Sequence, residues 1–238
     1  MSMFWSLFSP VKARHIKRTL LFSPDDDRSS PSRELVDLAL RAARAAMDTD
    51  LSDICSRLAT PTLWPKCWPG EHYRILAGLV QVLQPRRVVE IGTHTGWGTL
   101  ALKKFLPADS TLSTFDLMPW DSFADTVLCP GDFDDGKLRQ TIADLSDPAV
   151  FGTYRPLLQD ADLIFVDGPK DKKFESSFVE LLATASFKRT PWLIFDDIKD
   201  WNMLKVWRDI DRPKMDITSL GHWTGTGLVH WTTAPLSS

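Results

Sequence analysis

Little in this chain ties it to a membrane, a disulfide framework or a polyanion. None of its 238 residues fall in a run approaching the roughly 20 consecutive apolar residues that cross a bilayer. Cysteines number only three, Cys55, Cys67 and Cys129, odd in count and widely spaced. They form no Cys-x-x-Cys pair, which removes zinc knuckles and dithiol redox motifs and points to a reducing compartment. Neither sign of charge dominates: 28 basic against 31 acidic residues leave a net charge of −3, too weak a field to steer the chain onto nucleic acid. Internal repeats are missing as well. The expectation is a soluble, cytoplasmic protein acting on a small molecule, with the oligomeric state open and a homodimer among the options.

The length suits one α/β domain and is too short for two large ones with a linker. Residues 1–31 read as a tail: Met1 to Phe8 is apolar and aromatic, Lys12, Arg14, Lys17 and Arg18 follow, and no acid precedes Asp25. Such a start also suits a targeting segment or an interfacial helix. The domain is expected over residues 32–238, with a helical cap at 32–84. Ser32 is a good N-cap, and Leu35, Leu38, Ala39, Ala42, Ala43 and Ala46 keep one apolar face, which predicts a helix to about Met47. Pro61, Pro65 and Pro69 mark an irregular loop, and His72 to Leu83 reads as helix.

Beyond Pro85 the pattern becomes alternating strand and helix. Arg87 to Gly92 is a β-branched run stopped by glycine, followed by a helix over Thr99 to Phe105. Leu112–Phe115, Ala161–Val166 and Trp192–Phe195 are further strands, and each runs into an aspartate: Asp116, Asp167 and Asp196. The spacings leave room for crossover connections, so the fold class is α/β, a doubly wound and mostly parallel sheet. Met215–Leu220 and Gly227–Thr232 instead predict a C-terminal antiparallel hairpin.

In a doubly wound sheet ligands bind at the carboxyl ends of the strands, where Gly92, Gly96 and Gly98 lie between a strand and a helix. Glycines there permit a tight turn and expose a helix N-terminus to an anionic group. Glu90 ends the first strand and Asp116 the next, and an acid in the second position suits the two hydroxyls of a ribose. An adenosine-type cofactor follows. NAD is the weaker candidate, because the glycines are spaced Gly-x-x-x-Gly-x-Gly rather than Gly-x-Gly-x-x-Gly.

The stretch Val88 to Gly96, Val-Val-Glu-Ile-Gly-Thr-His-Thr-Gly, resembles the first motif of class I methyltransferases, and Thr114-Phe-Asp116 is similar to their second. The resemblance implies S-adenosylmethionine as cofactor, with Gly92, Thr93 and Gly96 in the loop beside its methionine part and Asp116 on the ribose. Glu90 takes the place of the family's acid near the methionine end, acting on the loop or directly. His94 stands where the commonest form has a glycine, as in the catechol-type O-methyltransferases. Gln140 to Leu145 resembles the short strand whose terminal acid faces adenine, which nominates Asp144.

Asp167, Asp196 and Asp197 are brought by their strands to the same edge of the sheet. Clustered carboxylates repel unless a cation lies among them, and oxygen-only ligands favour a hard divalent ion such as Mg²⁺. The alternatives are that they cap helices or pair with Lys170, Lys172 or Lys199. Asp167-Gly-Pro-Lys170-Asp171, followed by Asp196-Asp197, resembles the metal-dependent O-methyltransferases of the catechol and macrolide-sugar types. That implies metal ligation by Asp167, Asp196 and Asp197, with Lys170 as the base. His222, in the hairpin loop, is a reserve catalytic candidate.

The chemistry expected is methyl transfer to a hydroxyl of a small molecule, a sugar or a phenol, with the metal aligning and activating the acceptor. Three other readings stand beside it: a metal-independent enzyme acting on nitrogen or carboxylate, a NAD- or nucleotide-sugar-binding enzyme of similar fold, and a non-catalytic scaffold. Ten tryptophans, Trp64, Trp68, Trp97, Trp120, Trp201 and Trp223 among them near the active edge, serve equally as pocket walls or core fillers.

Overall fold

A computed structural model describes residues 29–58, 72–171, 173–221 and 223–232, with the backbone alone at Trp201. The predicted loop at 60–70 and His222 lie outside the described residues, as does most of the N-terminal tail. The described strands form one seven-stranded sheet in the order β3-β2-β1-β4-β5-β7-β6. They are β1 (Arg87–Ile91), β2 (Thr111–Asp116), β3 (Leu138–Ile142), β4 (Leu163–Val166), β5 (Trp192–Asp196), β6 (Lys214–Asp216) and β7 (Thr226–His230). From β3 to β5 every pairing is parallel, and β7 enters antiparallel between β5 and β6.

The helices are α1 (Arg33–Met47), α2 (Ser52–Cys55), α3 (His72–Leu83), α4 (Trp97–Lys103), α5 (Pro148–Gln159), α6 (Phe174–Ala183) and α7 (Trp201–Asp209). Alternation along the strands sorts the core into two layers. Val88, Leu112, Leu163, Phe165, Ile194 and Leu228 face α1, α3 and α4. Val89, Ile91, Ile164, Val166, Leu193, Phe195 and Val229 face α5, α6 and α7. Strands covered on both faces must be apolar throughout, which is why they read as continuous hydrophobic runs.

Local chemistry sets the helix starts. The Ser32 hydroxyl accepts from the Leu35 amide at 3.2 Å, and Leu35, Leu38, Ala39, Ala42 and Ala46 are buried on the predicted face. Asp147 accepts from the Ala149 and Val150 amides with Pro148 in the first turn, opening α5. Asp200 accepts from the Asn202 amide at 3.2 Å and opens α7.

Several boundaries differ from the sequence expectation: the helix expected over Thr99 to Phe105 runs Trp97–Lys103, the last strand runs Thr226–His230, and three further ends stand out. The strand placed from Ala161 begins at Leu163, because the carboxylate of Asp162 accepts from the Arg86 and Arg87 amides and turns the chain there. Strand β3 starts at Leu138, where it pairs with Leu112 of β2. The first hairpin strand stops at Asp216 rather than Leu220: Asp216 Oδ1 accepts from the Thr218 amide at 2.9 Å and from its hydroxyl, an Asx turn that ends the ladder. Among the described residues no helix is long and apolar enough to cross a membrane.

The strand order reverses between β1 and β4, since β1 leads outward to β2 and β3 while β4 leads the other way to β5. The loops after β1 and β4 therefore part at their carboxyl ends and leave a crevice.

Candidate functional site

The crevice begins where Gly92 leaves β1. Its amide donates to Phe115 O at 2.8 Å, and the amide of Asp167 donates to Ile91 O at 2.9 Å, so the first residues beyond β1 and β4 are stitched to neighbouring strands. Gly92 has φ +99°, and a Cβ there would lie 2.0 Å from the Asp167 carbonyl oxygen. Gly96 has φ +88°, and its Cβ would meet Leu128 at 2.4 Å. Both positions exclude other residues, and the pressing neighbour is in each case the protein itself.

A cavity of about 620 Å³ opens at this edge, within the size range of small-molecule sites. Its apolar lining comes from Phe115, Leu117, Met118, Ala143 and Phe174, among others; its polar lining includes Asp116, Asp144, Ser146 and Asp167, with Asp171 and Lys173 also present. Asp116 Oδ2 accepts from the His94 amide at 2.8 Å and Oδ1 from the Met118 amide at 3.0 Å, which fixes the carboxylate while each oxygen keeps a lone pair. Asp144 Oδ1 accepts from the amide and hydroxyl of Ser146 at 2.8 and 2.6 Å. His94, with φ +43°, lines the mouth and packs edge-on against Phe123.

Glu90 lies beneath the cavity and is fully buried. Its Oε2 accepts from the Thr99 hydroxyl at 2.5 Å, and it is hydrogen-bonded to the Thr114 hydroxyl, which is 2.7 Å from that of Thr93. This chain of hydroxyls links the acid to both the loop and the start of α4. Burial pushes the Glu90 carboxyl up to about 8, only partly opposed by the hydrogen bonds from Thr99 and Thr114. Its Oε1 has no hydrogen-bond partner among the described residues. Of the residues nominated for the cofactor, Gly92, Asp116 and Asp144 line the cavity, whereas Glu90, Thr93 and Gly96 are absent from its lining.

Next to the cavity, β4 and β5 end in the three acids. Ligand oxygens of Asp167, Asp196 and Asp197 all lie within 4.8 Å of one another. Asp196 is 6 % exposed, and Asp197 adopts φ +56°, an unfavourable conformation for a non-glycine residue. Among the described residues this is the acid, histidine and cysteine cluster able to hold a metal ion. Its all-carboxylate donors fit a hard cation. The wall around Asp167, and then Asp196 and Asp197, push its carboxyl above the ordinary range against the pull of Lys170.

Lys170 supplies positive charge here. Its Nζ donates to Asp167 Oδ1 at 2.8 Å and to Gly168 O at 2.9 Å, and lies 3.7 Å from Asp197 Oδ2. Burial disfavours the ammonium, but Asp167, Asp196 and Asp197 outweigh it and raise the lysine above its ordinary value.

Three residues at this centre escaped the sequence reading. His72, placed there only as the start of a helix, is 6 % exposed, with Nδ1 3.8 Å from Asp196 Oδ1 and 3.4 Å from Thr226 Oγ1. Glu175 and Asn202 bond the backbone of Lys170. A histidine opening an apolar helix after a proline-rich loop was the available signal for the first; the other two have none. Of the tryptophans, Trp97 is buried in the core, Trp120 stacks on Phe133, and Trp223 is exposed.

No protein-family model matches the chain, and no curated protein matches it. Solved structures do resemble it. A methyltransferase from Geobacter sulfurreducens superposes with a TM-score of 0.51 at 18 % identity, over 67 % of this chain and 77 % of that one. The SAH-bound structure of a Podospora anserina methyltransferase gives 0.52 at 12 % identity, over 95 % of this chain and 96 % of that one. At these identities the likeness is one of fold: the chain has the α/β fold of these methyltransferases.

Proposed function

We propose that the protein is an S-adenosylmethionine-dependent methyltransferase that methylates a hydroxyl of a small molecule with the help of a divalent cation. The observation that carries this reading is the meeting, across one crevice, of a cavity of nucleoside size holding Asp116 with a cluster of three carboxylates.

Asp116 suits the two hydroxyls of a ribose, since two backbone amides fix its carboxylate in place. Phe115, Met118 and Ala143 offer flat apolar contact to a purine, with Asp144 and Ser146 at its edge. Gly92 borders the amino-acid end, with Thr93 buried behind it in the same loop, and Glu90 braces that loop through Thr114 and Thr99. Residues 32–238 act as one domain in this reading, with α1 and α3 as its cap.

Methyl transfer from a sulfonium requires an acceptor oxygen aligned with the methyl group and relieved of its proton. The cofactor supplies the methyl group, and a cation held by Asp167, Asp196 and Asp197 supplies charge that lowers the pKa of the acceptor hydroxyl. Lys170 is the group placed to receive that proton, and the charge on its carboxylate neighbours governs when it can do so. His72, beside Asp196, helps fix the carboxylate cluster.

A second reading has a specific observation behind it. Lys170 already neutralises part of the acid charge at 2.8 Å from Asp167, so the lysine itself could be the permanent counter-ion of a metal-independent enzyme. Calorimetric titration of S-adenosylmethionine, with and without Mg²⁺, tests the class: saturable binding is expected, lost in Asp116→Ala and kept in Asp196→Ala. Absence of binding would overturn the methyltransferase reading. Turnover of hydroxylated acceptors that persists under chelation and in Asp196→Ala would favour the metal-independent one.

A further inference from the structure

We propose that Glu175 and Asn202 are positioning residues that aim the Lys170 ammonium at the carboxylate cluster by holding its peptide groups from both sides. The inference deepens the reading of that cluster as the reactive centre and rests on it.

The backbone of Lys170 comes first. Its φ is +55°, in the left-handed region where a residue with a Cβ is strained and glycine is not. A loop needing only this turn is better served by glycine, so the side chain is what the position provides. His94, Lys170 and Asp197 are three of the four non-glycine residues with positive φ among those described, and all border the cavity or the carboxylates. Strain of this kind persists where surrounding contacts impose it.

Those contacts are specific. The amide of Lys170 donates to Glu175 Oε1 at 2.9 Å, from the first turn of α6. Its carbonyl accepts from Asn202 Nδ2 at 2.7 Å, from the first turn of α7. Side chains of two helices thus take both hydrogen-bonding groups of one residue. Glu175 is 1 % exposed, and neither its Oε2 nor Asn202 Oδ1 has a hydrogen-bond partner among the described residues. Leaving such atoms unpaired destabilises a fold, so stability alone is a poor reason for a buried glutamate here.

The consequence lies in the side chain. Lysine has a long flexible stem, and a free loop would let its ammonium swing into solvent. With the backbone fixed, Nζ reaches both Asp167 and Asp197, and the side chain is only 10 % exposed. The clamp therefore sets how strongly Lys170 competes with a cation for the same carboxylates.

The test uses the full chain and the variants Glu175→Ala, Glu175→Gln, Asn202→Ala and Lys170→Met. The rate of acetylation by acetic anhydride, mapped lysine by lysine with mass spectrometry, reads the clamp without any metal. Lys170 is expected to react about tenfold faster in Glu175→Ala and in Asn202→Ala, the equivalent of one lost buried hydrogen bond, while other lysines keep their rates. Glu175→Gln retains an acceptor oxygen and should keep Lys170 slow. An unchanged Lys170 rate, or equal acceleration of every lysine, would overturn the proposal; if Glu175→Ala does not fold, Asn202→Ala decides. Mn²⁺ binding followed by electron paramagnetic resonance supplies the link to the cluster. Asn202→Ala should raise Mn²⁺ affinity severalfold, and that gain should vanish in the Lys170→Met background; a gain that survives there would show that Asn202 does not act through Lys170. Absence of Mn²⁺ binding in the unsubstituted protein would instead sink the metal reading of the carboxylates, with the acetylation rates still deciding the clamp.

Discussion

Replacing Glu90 by glutamine should make the protein more resistant to alkaline pH. The Glu90 side chain is fully buried, and its carboxyl is raised from 4.5 to about 8 because burial disfavours the anion more than Thr99 and Thr114 favour it. A raised carboxyl means that the folded state binds the proton more tightly than the unfolded one. The stability associated with the protonated group is therefore complete below about pH 4.5 and is lost as pH rises toward about 8. At about 1.4 kcal/mol per pH unit, the loss from this one group between about pH 5 and about pH 9 is roughly 4 kcal/mol. Glutamine has no proton to lose. It keeps an acceptor for the Thr99 hydroxyl, but its amide N–H groups add an unmet donor, so near pH 5 the variant should match the parent or fall about 1 kcal/mol below it. Urea unfolding of both proteins across this range gives the difference directly, with other titrating groups cancelling between them. The stability curves should cross, leaving the variant ahead on the alkaline side. A difference that does not change with pH would refute the claim that Glu90 is protonated in the folded state near neutrality.

Two further perturbations probe how the fold supports the site. Lys214 is 1 % exposed, and its ammonium donates to the carbonyls of Trp207, Arg208 and Ile210, closing the end of α7; Lys214→Met should cost about 3 kcal/mol in urea unfolding, and a loss below about 1 kcal/mol would mean those bonds contribute little. Gly92→Ala places a methyl group 2.0 Å from the Asp167 carbonyl at a φ of +99°, so it should destabilise by more than about 2 kcal/mol and weaken S-adenosylmethionine binding by shifting the Asp167 loop; an unchanged melting temperature would contradict the close approach.

Much of the architecture was legible because its causes are local. The run from Arg87 to Gly92, the cap at Ser32 and the acids following three apolar strands are patterns within a few residues, and burial on both faces leaves parallel strands little choice of composition. The same locality explains the misplaced ends. Asp162 and Asp216 stop or delay strands by capturing nearby amides, and an apolar count does not register such turns.

By itself the sequence determined that Asp116, Asp167 and Asp196 end strands of an α/β sheet, since strand periodicity and parallel connectivity together place strand ends on one edge. Tertiary structure decided what each acid faces. It buried Glu90 under the glycine loop rather than in the cavity, put His72 beside Asp196, and used Glu175 and Asn202 to turn Lys170 onto the carboxylates. Protonation follows from that placement. Lys170, which the family resemblance offers as the base, has its ammonium favoured by Asp167, Asp196 and Asp197, three acids that only folding gathers around it. Side-chain identity fixes only a reference pKa; the neighbours and the depth of burial that move it come from segments far apart in the chain, and folding alone brings them together.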